Sequence, residues 1–146
     1  MRVWSRKPEH AKLFAEAHGA RATEAEPAVR GADVVVNERA RPRPHGSLAQ
    51  VGAHVNAVGS ARPTWRELDE AAMRNLLVVD SLEAVLKELG DVILSNATVY
   101  AEVGEIFAGV KPSPISETTV FKSVGIAIED IATAKLVFDK ASQHPK

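Results

Sequence analysis

Short runs of β-branched and apolar residues alternate along the chain with turn residues and amphipathic stretches, the pattern of an α/β fold built on a parallel sheet. Residues 2–4 read as a strand that starts abruptly. A helix is predicted over residues 8–18, with Pro8 in its first turn, Leu13, Phe14 and Ala17 on one face, and Gly19 as its stop. Residues 21–23 suit a short strand and residues 26–30 a single helical turn. Residues 32–36, with three consecutive valines after Gly31, read as a strand buried on both faces. Further strands are expected at residues 54–59 and 76–80, with a helix-like stretch at 66–74 between them. Ser81 is placed to cap a helix running to Leu89, with Gly90 ending it. Residues 99–110 fit one helix, in which Glu102 and Glu105 would form a solvated face. The last helix begins near Gly125, where Ala127, Ile131, Ala134, Phe138 and Ala141 recur at spacings of four and three. That narrow apolar stripe suits packing on another helix or subunit.

A chain of 146 residues with 45% hydrophobic and 25% charged positions is sized and composed for one folded domain. A net charge of -1 gives no general attraction to nucleic acid or to an anionic membrane, so neither is expected as a partner. The absence of cysteine removes disulfides, thiolate nucleophiles and Cys-ligated zinc, and it fits a reducing, cytoplasmic setting. No apolar run has the length of a membrane span, and residues 1–7 lack the apolar core of a signal peptide. Residues 37–46 are the one biased stretch; Arg39, Arg41 and Arg43 stand beside Pro42 and Pro44 there, read as a solvated loop that could also meet a phosphate or an acidic partner.

The chemistry is first constrained by what is missing. No two of the nine glycines are separated by a single residue, so the G-x-G-x-x-G fingerprint is absent, as is the Walker G-K-[ST]. His10, His18, His45, His54 and His144 make no metal-ligand spacing, so no metal is expected. No G-x-S-x-G surrounds Ser60 or Ser123, which leaves a serine hydrolase without support. The end of the first strand is more informative. In dinucleotide-binding folds an acid after the second strand holds the ribose hydroxyl of NAD, whereas Arg beside hydroxyl groups accommodates the 2′-phosphate of NADP. Ser5-Arg6-Lys7 is of the second kind, or is an ordinary surface triplet.

The string His54-Val55-Asn56-Ala57-Val58-Gly59, with Arg62-Pro63 and Trp65-Arg66-Glu67-Leu68 after it, resembles the ornithine cyclodeaminase/mu-crystallin family, closest to its ketimine reductase branch. VWSR at residues 3–6, GADVVV, VVDS, KELGD, YAEVGEIFAG and ETTVFKSVGIAIED follow in that family's order over nearly the whole chain. The resemblance implies a doubly wound, Rossmann-like parallel sheet that lacks its first strand, with residues 1–125 as a partial NAD(P)-binding domain. Residues 126–146 would form a C-terminal helix packed on an N-terminal domain that this sequence does not contain.

The same resemblance implies roles residue by residue. Ser5, Arg6 and Lys7 would hold the 2′-phosphate of NADPH; Val58, Gly59 and Ser60 would lie along its nicotinamide end, and Ser123 would touch the nicotinamide side. Glu88 would face the pocket for a substrate or for thyroid hormone. Gly59 also reads as a tight turn, and Glu88 as a solvated helix end. The implied reaction is hydride transfer to the C=N carbon of a cyclic ketimine carboxylate by a homodimeric enzyme, with no catalytic side chain assigned. Ornithine cyclodeaminases place a catalytic Asp two residues after the matching glycine, where this chain has Ala61, so ornithine deamination is disfavoured. The missing strand and glycine-rich turn imply that the chain alone does not turn over, and alternatives are a non-catalytic hormone- or NADPH-binding product or an accumulated lens-type protein.

Overall fold

The computed structural model describes residues 1–38, 50–59 and 62–143. The biased arginine segment from Arg39 onward, Ser60 and Ala61 lie outside these described residues.

The chain alternates strand and helix. Strands β1 (Arg2–Val3) and β2 (Arg21–Ala22) flank helix α1 (Pro8–His18), and α2 (Ala25–Val29) leads into β3 (Val34–Asn37). Then come β4 (His54–Ala57), α3 (Glu70–Met73), β5 (Leu76–Val79), α4 (Leu82–Glu88) and α5 (Gly90–Ser95). β6 (Val99–Glu102), α6 (Val103–Phe107), β7 (Thr119–Lys122) and α7 (Ala127–Gln143) complete it. Five strands form one sheet in the order β3-β4-β7-β5-β6, parallel throughout, while β1 and β2 form a separate parallel pair. The incomplete doubly wound sheet with a C-terminal helix is therefore what the chain forms. β1 and β3 do not pair across the position of the absent strand.

One face of the five-stranded sheet carries the core. Val35, Val55, Ala57, Val120, Leu77 and Val79 point to it and pack on Leu68, Ala72, Met73, Val85, Leu89 and Val92 from the segment before α3 and from α3, α4 and α5. Helix α1 matches the expected limits, because Pro8 fixes its first turn and Gly19 supplies the left-handed cap at φ 60°.

Five expectations need correction. The valine run is not buried on both faces: β3 is an edge strand with Val35 buried and Val34 and Val36 60% and 74% exposed. Helix α3 spans only Glu70–Met73, capped by Asp69, whose carboxylate accepts the Ala72 N–H at 2.7 Å. Gly90 does not end a helix but opens α5; its N–H donates to Arg62 O, and a Cβ there would lie 2.0 Å from Trp65 O. Glycine is needed for that close backbone approach, not for termination. Residues 99–102 are strand β6 rather than helix, because pairing with β5 overrides local preference. Glu102 and Glu105 accordingly form a capping box at the start of α6 rather than a solvated face. Strand β7, at the centre of the sheet, was not anticipated at all.

Candidate functional site at the carboxyl ends of the strands

Ligands of open α/β sheets sit outside the carboxyl ends of the strands. Here those ends are held by three buried carboxylates, Glu67, Asp80 and Asp91, and one buried ammonium, Lys122.

The first centre is Glu67, fully buried. Its Oε2 accepts the Gly59 N–H at 2.9 Å and lies 2.6 Å from Lys122 Nζ, while its Oε1 accepts the Asn37 amide at 3.0 Å. One carboxylate thus ties together the ends of β3, β4 and β7. Lys122, also fully buried, reaches Asp91 Oδ2 at 2.8 Å. Asp91 in turn accepts the backbone N–H groups of Glu67 and Leu68 at 2.9 and 3.0 Å, which returns the loop to its own start. Buried charges persist only when paired and hydrogen-bonded, and each of these is.

The second centre is Asp80, buried just beyond β5. Its Oδ2 accepts Ser123 Oγ–H at 2.6 Å and the N–H groups of Val124 and Gly125 at 2.9 and 2.8 Å, and its Oδ1 accepts the Ser81 N–H at 2.8 Å. These charge-assisted bonds shape the turn after β7. Because the Ser123 hydroxyl gives its proton to Asp80 and accepts from the Gly125 N–H, it has acceptor capacity left for a ligand and no free proton.

The third part lies beyond β1. Ser5, Arg6 and Trp4 line a hollow of about 320 Å³ together with Pro8, Lys12, Thr23 and Glu24. Arg6 and Lys7 are exposed, and Lys7 is the residue before α1, its N–H 3.4 Å from Ser5 Oγ. The hydroxyls of Ser5 and Thr23, the cations Arg6 and Lys12, the Glu24 carboxylate and the first turn of an eleven-residue helix therefore line one concavity, with Lys7 at its edge in sequence.

The expected residues are gathered in part. Val58, whose N–H donates to Asn37 O at 3.1 Å, and Gly59 follow β4, and Ser123 follows the adjacent β7. Ser5, Arg6 and Lys7 stand at the end of the separate β1–β2 pair. Glu88 is exposed on the last turn of α4, the helix that follows Asp80. His54 pairs with Thr119 Oγ1 at 2.7 Å, as a strand histidine satisfied by its neighbour. Glu67, Asp80, Asp91 and Lys122 were missed, although each sits in a quoted motif. For Asp80 and Lys122 a charge at the end of an apolar run was the available signal; Glu67, before α3, and Asp91, in α5, carried none. Among the described residues no group of three or more His, Asp or Glu is placed to hold a metal.

The model of the ornithine cyclodeaminase/mu-crystallin family matches residues 1–145. The chain belongs to this family. Its similarity to ketimine reductase mu-crystallin of Mus musculus is 47% identity over 148 aligned positions, covering 97% of this chain and 47% of that protein. A Delta(1)-pyrroline-2-carboxylate reductase of Bacillus cereus is 39% identical over 134 positions, covering 84% of this chain and 41% of its own length. Among solved structures, the Delta(1)-pyrroline-2-carboxylate reductase of Thermococcus litoralis, in complex with NADH and L-proline, superposes with a TM-score of 0.86 at 37% identity. That match covers 98% of this chain and 50% of the other. The chain spans about half the length of the family members it matches. No helix among its described residues is long and apolar enough to cross a membrane.

Proposed function

We propose that this chain supplies the nucleotide-binding half of an imine reductase that uses NADPH to reduce a cyclic ketimine carboxylate. The observation that carries the reading is the hollow after β1, where Ser5, Arg6, Lys12 and Thr23 converge beside the first turn of α1. A dianionic phosphate fits this donor set, since the guanidinium and hydroxyl donate and the helix terminus adds its partial positive charge. An acid that would select a ribose hydroxyl is not at the Ser5-Arg6-Lys7 position. NADH in the Thermococcus litoralis relative supports a nicotinamide nucleotide, and the residues after β1 favour the phosphorylated form.

Arg6, Ser5 and Lys7 would hold the 2′-phosphate, and Val58, Gly59, Ser60 and Ser123 would border the nicotinamide end. When bound, the nucleotide supplies the hydride. This chain's own part is positional. Glu67 fixes the Gly59 amide and Asp80 fixes the Ser123–Gly125 turn, so both borders of the nicotinamide position are set before ligand arrives. Glu88 is the residue assigned to the substrate pocket. Residues 1–125 carry the nucleotide half, and residues 126–146 pack on the complementary half of a cytoplasmic homodimer.

A second reading rests on the gap between β1 and β3. Without a strand there, no glycine-rich turn presents amides to a pyrophosphate, and the chain by itself binds nucleotide weakly and does not turn over. In this reading it is a non-catalytic binding protein for NADPH or thyroid hormone.

The test of the first reading is to join the chain in one polypeptide to the complementary half of the mouse ketimine reductase. NADPH consumption on adding Delta(1)-pyrroline-2-carboxylate, and no ammonia from ornithine, is expected. A folded, nucleotide-binding product that leaves the imine untouched would overturn the reading.

A further inference from the structure

The hollow after β1 holds charges of both signs that find no partner within the fold. Its lining gathers Arg6 from beyond β1, Lys12 from the second turn of α1 and Glu24 from beyond β2 around about 320 Å³, together with the Ser5 and Thr23 hydroxyls. Among the described residues, the side chains of Arg6, Lys12 and Glu24 make no hydrogen bond and no ion pair. Local partners are at hand for two of them. Glu9 and Glu16 flank Lys12 within about one helical turn on α1. Elsewhere in the chain such neighbours do pair, as Glu26 with Arg30, Arg66 with Glu70, Glu83 with Lys87 and Lys135 with Asp139. Glu24 stands at the N-cap of α2, where an acceptor side chain ordinarily bonds a first-turn amide, but no such bond is made. Lys12 and Glu24 each forgo the contact their position offers and line the hollow instead.

We propose that Lys12 and Glu24 set, in opposite directions, how strongly this hollow prefers a phosphorylated to an unphosphorylated ribose; the inference rests on the nucleotide reading above. Lys12 adds a second lining cation to the Arg6 guanidinium, and an ammonium serves a phosphate as a point charge without demanding a planar, bidentate geometry. That contact gains only when the ribose carries the dianion. Glu24 acts the other way. Its carboxylate repels a phosphate brought into the same concavity, and it can accept from a free ribose hydroxyl, the contact that acids make in NAD sites. Two cations against one carboxylate leave the hollow favourable to the phosphate, by a margin that either residue moves.

The test titrates the 146-residue chain, its Lys12→Gln and Glu24→Gln variants and the double variant with adenosine 2′,5′-bisphosphate and with adenosine 5′-monophosphate. Amide NMR shifts at Ser5 and Thr23 report binding in the hollow. Both altered side chains are exposed, so the variants keep the fold. Lys12→Gln should weaken the bisphosphate about three-fold and Glu24→Gln should tighten it about three-fold, the range of an exposed charge contact. The double variant should return to the affinity of the unaltered chain. The monophosphate should not respond to Lys12→Gln and should bind no tighter to Glu24→Gln. Lys87→Gln makes the same charge change on α4 and should leave both affinities unmoved. Bisphosphate affinity unmoved by Lys12→Gln or by Glu24→Gln, while Arg6→Asp still weakens it, would overturn the proposal and leave the nucleotide reading standing. An equal loss from Lys87→Gln would reduce the effect to net charge and overturn the proposal as well. Equal affinity of the unaltered chain for the two nucleotides, unmoved by Arg6→Asp, would overturn the reading and the proposal together.

Discussion

Lys122 Nζ lies 2.6 Å from Glu67 Oε2 with both side chains fully buried, 55 residues apart in sequence. The pair joins the central strand β7 to the loop that carries Gly59, and Asp91 closes it from the other side at 2.8 Å. Removing the cation strands two carboxylates in the core. Lys122→Met should therefore lower the unfolding free energy by about 3–5 kcal/mol. Glu67→Gln keeps one oxygen, enough for the Gly59 or the Asn37 donor but not both, and leaves Lys122 paired with Asp91, so it should cost less, about 1–3 kcal/mol. Urea unfolding of the three proteins checks both the size and the order.

Asp80 serves four donors around one turn. Asp80→Ala leaves the Val124 amide without its acceptor and the Gly125 amide with Ser123 Oγ alone, which should cost about 1.5–3 kcal/mol. The loss is local before it is global. Hydrogen exchange at those two amides should accelerate more than at the core strand residues Leu77 and Val79; a uniform acceleration would deny Asp80 its positioning role.

Gly90 has no room for a side chain, since an added Cβ would sit 2.0 Å from Trp65 O and 2.7 Å from Arg62 O, both backbone atoms. Gly90→Ala should destabilise by about 3 kcal/mol or more, at the upper end of overpacking costs. Thermal unfolding would show it, and Gly104→Ala, where no heavy atom stands within 4 Å of the added Cβ, is the mild control.

The sequence was most readable where punctuation is local. Pro8 and Gly19 delimit α1, and Ser81 caps α4 by accepting the Ala84 N–H. It was least readable where partners lie far apart. The run from Val99 to Phe107 suits strand or helix until β5 pairs with its first half. The residues 119–122 hide a central strand because its last residue is a lysine, whose acceptability in a core depends on Glu67 and Asp91. Gly59 could be recognised as a strand end and Ser123 only through the family resemblance, but the carboxylates that fix them could not, since each acts on residues brought near only by the fold.

Helix α7 has no buried residue, and Ile128, Ile131, Leu136, Val137 and Phe138 are all more than half exposed. Apolar surface on this scale favours association. Light scattering on the chain alone should give a mass that rises with concentration, and Ile131→Lys combined with Phe138→Lys should lower it toward the monomer. A concentration-independent monomer for the unaltered chain would contradict this.

The most direct test of the nucleotide reading needs only the 146-residue chain and amide-resolved NMR. Adenosine 2′,5′-bisphosphate should shift Ser5, Arg6, Lys7 and Thr23 with an affinity in the millimolar range, about -4 kcal/mol. Adenosine 5′-monophosphate should shift them less, and Arg6→Asp should remove about 1.5–3 kcal/mol of the binding, the scale of a charged hydrogen bond. Equal responses to the two nucleotides, or shifts that avoid the end of β1, would contradict the assignment of the 2′-phosphate to Ser5-Arg6-Lys7.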